Sequence, residues 1–359
     1  MIRHRTWRPA RCRGCVIDYS LAELDEEIER AFVRLFPGDE ADKSSDRLRW
    51  RFLDGPHGSG RVAIARDMAQ GGRIIGLIGL IALRLRSAAG PLESFQAVDV
   101  VVDPAYRGRG VFAGMGQAVL DEAASLGKDV LWGFPNENAA PAWFGRFSWL
   151  RFGTVPFMVR PLRTGYFLGR IASGLRRLDV PLIETSSNPD PKVLEIHGFG
   201  TEFDRLWERF APAGPAVDRG SQWLRWRLID RPGSQYRIVA TMDGSGHVAA
   251  MVASVLLDRH GGRILYVLEA MGVDAEATAR LLKHELGMAA GKGADAALCW
   301  CPSTAPNRSA YRRAGFLHFP DRLRPVTIHF GARPLRQGRA STMGKGKDWY
   351  LSYLDSDTV

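Results

Sequence analysis

The nine residues Leu48–Pro56, LRWRFLDGP, return as Leu224–Pro232, LRWRLIDRP. A box repeated within one chain constrains the fold strongly, because the chain must then build two related units. The segments after each copy also run in parallel. After the first come RVAIARD, GRIIGLIGLIALRLR and FQAVDVVV; after the second come YRIVATMD, HVAAMVASVLLD and RILYVLEAM. All six are apolar segments of strand length. Each set leads into a helical pattern (VFAGMGQAVLDEAASLG; AEATARLLKHELGMAAG) and a short buried strand (VLWGFP; AALCWCP). Each closes with an asparagine-containing loop, a short helix and a last strand (NENAAPAWFGRFSWLRFG; NRSAYRRAGFLHF). This order predicts two equivalent α/β units rather than one large sheet, and 359 residues suffice for both. Residues 163–192, ending in the turn-rich TSSNPDP, separate them.

Charge narrows the partners. The formal net charge of +10 is concentrated at the ends. Arg3, Arg5, Arg8, Arg11 and Arg13 lie in residues 1–15, and Arg333, Arg336, Arg339, Lys345 and Lys347 in 332–347, with no acid in either stretch. A nucleic-acid enzyme more often carries a basic face on its folded body. No nucleic-acid partner is therefore expected, and basic ends suit an anionic membrane surface or a phosphorylated ligand. No apolar stretch of signal-peptide type comes after the first arginines. The longest apolar run, Ile74 to Leu83, is ten residues, whereas a spanning helix needs about 20. The reading is a cytoplasmic protein, with the inner face of the membrane as a peripheral contact. Cys12/Cys15 and Cys299/Cys301 do not make a disulfide scaffold, and no metal site is expected, since the second pair sits in a buried strand pattern.

The order strand, helix, helix, three strands, helix, strand, helix, strand resembles the GNAT (GCN5-related N-acetyltransferase) fold. The first half resembles it over about residues 16–162, and the second by its order of elements and closing box. The expected fold class is α/β, two tandem GNAT-like domains, each a mixed, mostly antiparallel sheet flanked by helices. The expected layout is a basic arm (1–15), a GNAT domain with an acyl-CoA site (16–162), a linker with an amphipathic helix (163–192), a degenerate GNAT-like domain (193–335), and a basic linker with a C-terminal strand (336–359).

The GNAT signature is a strand, then [Q/R]-x-x-G-x-[G/A], then a helix. Here Arg107-Gly108-Arg109-Gly110-Val111-Phe112 comes after VVVDP, fitting at Arg107 and Gly110 and carrying Phe112 where a small residue is usual. Glycines let backbone N–H groups turn toward a pyrophosphate without a Cβ in the way. The helix beginning there adds its positive end to the same anion, and Arg107 and Arg109 supply further charge. Coenzyme A carries such a pyrophosphate, and its pantetheine arm suits the edge of the strand containing Val100 and Val102. Acetyl-CoA or a longer acyl-CoA is therefore the expected co-substrate. At the equivalent place the second half has AMGVDAEATARLL, with one glycine, no arginine in the loop and two acids.

Acyl transfer to an amine needs a neutral nucleophile, hence a base or a water chain. Asp99 is the one ionisable group in FQAVDVVV, and desolvation among valines would raise its pKa toward that of a base. Glu269, in RILYVLEAM, is an equally isolated acid and a second candidate. The family's usual acid, a tyrosine after an asparagine, has no counterpart in the first half, which reads Asn136-Glu137-Asn138 and then Trp143-Phe144. Tyr311 sits in that frame in the second half and is assigned to packing. Asn136 and Asn138 are expected to bond the pantetheine amides. The tail DWYLSYLDSD alternates like a strand, and folding back would bring Asp355 or Asp357 to the acceptor. In YFLGRIASGLRRL, Phe167, Leu168, Ile171, Leu175 and Leu178 fall on one helical face, with Arg170, Arg176 and Arg177 elsewhere; such a segment packs between domains or lies on an anionic membrane. The expected activity is acyl-CoA-dependent N-acyl transfer to the primary amine of a small molecule, an amino sugar or a lipid. Two other classes remain open: a non-catalytic acyl-CoA-binding module, and an aminoacyl transferase using charged tRNA, which predicts a basic body and no pyrophosphate loop.

Overall fold

A computed structural model describes residues 16–185, 190–324, 326–336 and 343–357. Strand β1 (Ile17–Ala22) leads to helices α1 (Glu26–Leu35) and α2 (Ser45–Phe52). Three long strands come next, β2 (Arg61–Asp67), β3 (Arg73–Arg86) and β4 (Leu92–Val102), then α3 (Val111–Ser125) and β5 (Val130–Gly133). A turn of π-helix (Ala142–Arg146) precedes β6 (Leu150–Thr154) and β7 (Phe157–Pro161). After α4 (Thr164–Ile171) and β8 (Val193–Glu195), the order recurs: α5 (Thr201–Phe210), a two-residue β9 (Ala216–Val217), α6 (Ser221–Leu228), β10 (Arg237–Met242), β11 (Val248–Arg259) and β12 (Gly262–Gly272). Then come α7 (Ala275–Gly291), β13 (Ala296–Trp300), α8 (Arg308–Arg313), β14 (Leu317–Phe319) and β15 (His329–Pro334).

These strands form two sheets, in the orders β1-β2-β3-β4-β5-β15-β6 and β14-β7-β13-β12-β11-β10-β8. Within each, the three long strands are antiparallel and the next joins in parallel, β4 with β5 and β12 with β13. The two mostly antiparallel sheets flanked by helices are those expected from the repeat. The compact units, however, are not continuous stretches of chain. Of the described residues, one unit holds 16–85, 91–151 and 330–336; the other holds 86–90, 152–185, 190–324, 326–329 and 343–357. The cause lies in the last strand of each half. β7 pairs with β13 and β14, while β15 pairs with β5, Gly331 opposite Gly133. Alternation along a strand fixes which face is buried but not which sheet receives the edge, so this exchange leaves no mark in the sequence.

The box LRWR is helical in both copies. Leu48, Trp50, Arg51 and Phe52 of α2, and Trp223, Leu224, Trp226, Arg227 and Leu228 of α6, are buried. A buried arginine on a short helix requires a partner of opposite charge or carbonyl oxygens. In the first unit, α1 starts where Asp25 accepts from the Ile28 N–H at 2.8 Å. Its Ile28, Ala31, Phe32 and Leu35 form one buried stripe. α3 lays Val111, Met115, Val119 and Ala123 into a core with Ile75, Ile78, Leu80, Phe95 and Leu131. The helix comes close to the π-helical turn, since a Cβ at Gly116 would stand 2.1 Å from the Phe147 ring.

Two sequence expectations change here. The C-terminal segment folds back, and Trp349 to Leu354 are each no more than 4% exposed, but it forms 3-10 turns (Gly346–Asp348 and Tyr353–Asp355) instead of a strand. Ser352 Oγ accepts from the Leu354 N–H at 3.3 Å and Asp355 Oδ2 from the Ser352 N–H at 2.8 Å; these local bonds take the place of ladder bonds. The basic C-terminal cluster also divides. Arg333 donates to the Phe147 carbonyl and Arg336 lies 3.6 Å from Asp129, so both belong to the first unit's body. The basic arm 1–15, with Cys12 and Cys15, and Arg339 lie outside the described residues.

Candidate active site

β4 and β5 run side by side from Ser94↔Val130 to Ala97↔Gly133 and then part. β4 continues to Val102, still paired with β3 on its other edge, up to Gly76↔Val102. Between the parted strands lies a cleft of about 630 Å³. One wall is the edge of residues 97–102; the other is Gly133, Phe134, Pro135, Asn136, Asn138, Ala139, Trp143 and Trp149; Arg107 and Phe112 stand at one end.

The parting is built into β4. Its pairing with β3 skips between Val98↔Gly79 and Val101↔Leu77, so Asp99 and Val100 together oppose Ile78. This is a β-bulge, and Asp99 adopts φ +50° there. A non-glycine residue in the left-handed region persists only where its surroundings over-determine it. Those surroundings are two cations: Lys43 Nζ lies 2.8 Å from Asp99 Oδ1, and Arg51 Nη1 lies 2.5 Å from Oδ2. Asp42 bonds the same pair, at 2.7 Å from Lys43 and 3.0 Å from Arg51. The Lys43 and Arg51 side chains are 3% and 0% exposed. Burial alone pushes the Lys43 pKa down, but the charge of Asp99 and the bonds from Asp42 and Asp99 leave it raised, so Lys43 stays an ammonium. Asp99 is therefore not the isolated carboxylate expected among valines: it lines the cleft with both oxygens bonded to cations. Sequence reasoning missed Lys43, Asp42 and Arg51; the one legible signal was that Arg51 recurs as Arg227 at the same place in the repeated box.

At the other end of the cleft, Asp103 ties the loop down. It accepts from the Ala105 N–H at 3.0 Å and pairs with Arg73 at 3.2 Å, while Tyr106 OH donates to Asp67 at 2.6 Å. The chain then passes through Gly108 (φ +74°) and Gly110 (φ +82°), the latter the N-cap of α3 with no side-chain cap. A Cβ at either glycine would meet nothing within 4 Å, so it is the backbone conformation that calls for glycine. The first N–H groups of a 15-residue helix thus open onto the loop. Arg107 lines the cleft, with Nε 3.2 Å from the Val102 carbonyl, and Arg109 lies over the Tyr106 ring at 5.4 Å. Val111 is buried in the core and offers only its backbone. Phe112 packs edge-on against Trp143 and Phe147, at 5.3 and 5.6 Å, so the large residue at this position forms part of an aromatic wall.

Of the residues chosen from sequence, Asp99, Val100, Val102, Arg107, Phe112, Asn136 and Asn138 meet at this cleft; Gly108, Arg109, Gly110 and Val111 form the adjoining turn. Asn136 accepts from the Ala139 N–H at 3.0 Å and so shapes its own loop. Trp149, also in the wall, has a buried indole N–H with no hydrogen-bond acceptor among the described residues. An acceptor atom on a bound molecule would satisfy it. A glycine turn at a helix start, a strand edge with no ladder partner among the described residues and an orphaned donor in an aromatic channel are features that suit the pyrophosphate and the amide-bearing arm of coenzyme A.

Glu269 and Asp357 belong to the other unit. Glu269 is fully buried, 2.6 Å from Arg219, and accepts from Tyr350 OH, from Ser352 Oγ at 3.1 Å and from the Ala270 N–H at 2.9 Å. Burial raises its pKa, with Arg219 and Tyr350 opposing. Asp357 pairs with Arg227 at 3.3 Å, and Asp355 with Arg219 at 2.5 Å. Tyr311 is buried against Phe316, as expected for a packing residue. Cys299 and Cys301 are buried thiols.

Comparison with known proteins agrees with this geometry. Residues 23–151 match the family model described as an acetyltransferase (GNAT) domain. No curated protein matches the sequence. Among solved structures, a probable N-acyltransferase of Enterococcus faecalis V583 superposes with TM-score 0.61 at 10% identity, over 89% of this chain and 73% of that one. A GCN5-related N-acetyltransferase of Anabaena variabilis gives 0.60 at 11% identity, over 89% and 73%. Saccharomyces cerevisiae N-myristoyltransferase with bound myristoyl-CoA gives 0.55 at 11% identity, over 88% and 82%.

Proposed function

We propose that this chain, whose residues 23–151 match the model of an acetyltransferase (GNAT) domain, is an acyl-CoA-dependent N-acyltransferase acting on a primary amine. The observation that carries this reading is the cleft between β4 and β5, with the turn Arg107–Phe112 at its end. Acyl-CoA supplies the thioester. The backbone N–H groups of the turn and the start of α3 hold its pyrophosphate, aided by Arg107 and Arg109. The free edge of residues 98–102 takes the pantetheine amides as an added strand would. Trp143, Trp149 and Phe134 exclude water from the channel. Asp99 acts as the anchor of the bulge, held by Lys43 and Arg51. Both Asp99 oxygens are engaged by Lys43 and Arg51, so the ammonium proton of the acceptor leaves through water.

For the acceptor we propose a lipid-type amine reached at an anionic membrane. One feature supports it. Residues 170–182 expose Ile171 (79%), Leu178 (59%), Val180 and Leu182 beside Arg170, Arg176 and Arg177. Here α4 ends at Ile171 and a 3-10 turn (Ser173–Arg177) continues the chain, so of the five apolar residues expected on one helical face Ile171, Leu175 and Leu178 are exposed while Phe167 and Leu168 are half-buried. Isologous pairing with a second copy would set these arginines against one another, whereas anionic headgroups complement them. No helix among the described residues is long and apolar enough to cross a membrane.

The test is thiol release from acetyl-CoA and long-chain acyl-CoA over a panel of amino sugars, sphingoid-type amines and small amines. Acceleration by a lipid amine supports the full reading, and acceleration by another amine class supports acyl transfer with a different acceptor. Binding of coenzyme A with no acceleration by any amine refutes the enzyme reading. Gly110→Val forces a β-branched residue into φ +82° and should abolish acyl-CoA binding in calorimetry; retained affinity refutes the assignment of the turn.

A further inference from the structure

The second unit carries a counterpart of this cleft. β12 and β13 run parallel from Ile264↔Ala296 to Tyr266↔Leu298 and then part. β12 also has a bulge beside its acid, because Ala253 faces Glu269 while Ser254 faces Val267. In the opening stands the chain's own segment Trp349–Asp357. The Tyr353 ring lies 5.4 Å from Tyr266 of β12 and 4.9 Å from Trp300 of β13, bridging the two strands. Asn307, the asparagine of the second closing loop, donates to the Ala270 carbonyl on the parted edge at 2.7 Å and to Tyr350 OH at 3.0 Å.

We propose that this second cleft is a peptide-binding site, that its resident ligand is the chain's own segment Trp349–Asp357, and that its ligand class is an aromatic peptide bearing carboxylates. The recognition chemistry is that of a built site. Arg219, itself 0% exposed, lies 2.6 Å from Glu269 and 2.5 Å from Asp355, so the segment brings the second carboxylate to a buried guanidinium. Arg227 donates to the Leu354 carbonyl at 2.8 Å and to that of Ser356, and pairs with Asp357. The repeated box thus has one job per copy: Arg51 holds the acid of the first cleft, and Arg227 holds the occupant of the second. Tyr353 fills an aromatic socket of Tyr266, Trp300 and Phe157. Aromatic anchors in desolvated sockets, with charge-assisted bonds beside them, are how short peptides are held.

Coenzyme A does not suit this cleft. α7 begins at Asp274, whose carboxylate accepts from the Ala277 N–H at 2.7 Å, and Glu276 sits in its first turn. The helix end that is open at Gly110 in the first unit is capped here by the Asp274 carboxylate, with Glu276, paired to Arg313 at 2.8 Å, beside it. No acyl group enters this recognition, so the peptide site stands whether or not the first cleft transfers one.

The experiment uses the full chain with a specific protease site placed within residues 337–342, cut after folding. A fluorescent peptide of residues 343–359 should replace the resident segment saturably, at one per chain. Unlabelled peptides carrying Tyr353→Ala or Asp355→Asn should compete at least tenfold less well than the native peptide. A cut chain that stays folded and takes up no peptide overturns the proposal, as do variants that compete equally. If the cut chain does not stay folded, hydrogen exchange on the uncut chain decides. Amides of 350–356 and 268–272 exchanging together, at least tenfold faster than those of β11, support a separable ligand; exchange only in step with β11 makes the segment part of the core and overturns it.

Discussion

Asp99→Asn separates an anchor from a base. Asparagine tolerates the left-handed region about as well as aspartate, so the bulge at φ +50° keeps its local backbone and the change is one of charge. It leaves the Lys43 and Arg51 side chains, 3% and 0% exposed, facing a neutral amide. Removing one partner of a buried ion pair costs roughly 3–5 kcal/mol. Asp99 is 14% exposed and Asp42 still bonds both cations, so the lower end, about 3 kcal/mol, is expected. For a domain of about 150–250 residues each kcal/mol moves Tm by about 2–4 °C. The first unit should therefore unfold about 6–12 °C lower, on the same basis.

Kinetics then discriminate. With Asp99 as anchor, the parted edge of β4 loses its brace, and KM for acyl-CoA should rise about tenfold while kcat falls by less. The pH dependence of kcat/KM should keep its shape, because no proton acceptor was removed. Loss of a general base instead lowers kcat by about 10²- to 10⁴-fold. A variant with Tm unchanged to within about 1 °C, kcat down in that range, KM unchanged and the acidic limb of the pH profile gone would refute the anchor and restore Asp99 as the base.

Three further outcomes are expected. Burial pushes the Cys301 thiol up to about 12, so at pH 8 its thiolate fraction is about 10⁻⁴; an alkylating reagent should label Cys299 and Cys301 only after unfolding, and native-state labelling contradicts their placement. The folded-state pKa of Glu269 is raised above 4.5, so the folded chain binds this proton more tightly and stability falls as pH rises from about 4.5 through the raised value; Glu269→Gln should flatten that part of a urea-unfolding series, and an unchanged slope refutes the buried acid. Arg170→Glu/Arg176→Glu/Arg177→Glu should abolish sedimentation with phosphatidylserine vesicles and leave the circular dichroism spectrum intact, whereas persistent vesicle binding removes the membrane face.

The parts of this protein legible in its sequence are those whose chemistry is local. The turn Arg107–Phe112 is readable because positive φ, the missing Cβ and a helix start are properties of neighbouring residues. The order of elements is readable because periods of two and near four are written into each segment. The ion pairs are not. Asp99 meets Lys43 across 56 positions, and Glu269 meets Arg219 across 50, so each acid reads as isolated within its own strand. The exchanged strands β7 and β15 are hidden for the same reason, since backbone ladders accept any strand of suitable face.

The two halves compared carry more than either half alone. Arg51 and Arg227 hold the same place in the box, and a charged residue kept at a buried position implies a partner within each unit. In the first unit that partner is Asp42 and Asp99, and the result is a bulge that holds a cleft open. In the second it is the C-terminal segment, and the result is a cleft filled from within. The acids at the start of α7 agree with that outcome, because a cleft closed by the chain's own carboxylates has no use for a phosphate-binding turn. On the two proposed readings, one architecture yields a site for a thioester and a site for a peptide, and their helix starts differ accordingly: an uncapped glycine turn at α3 and a carboxylate cap at α7.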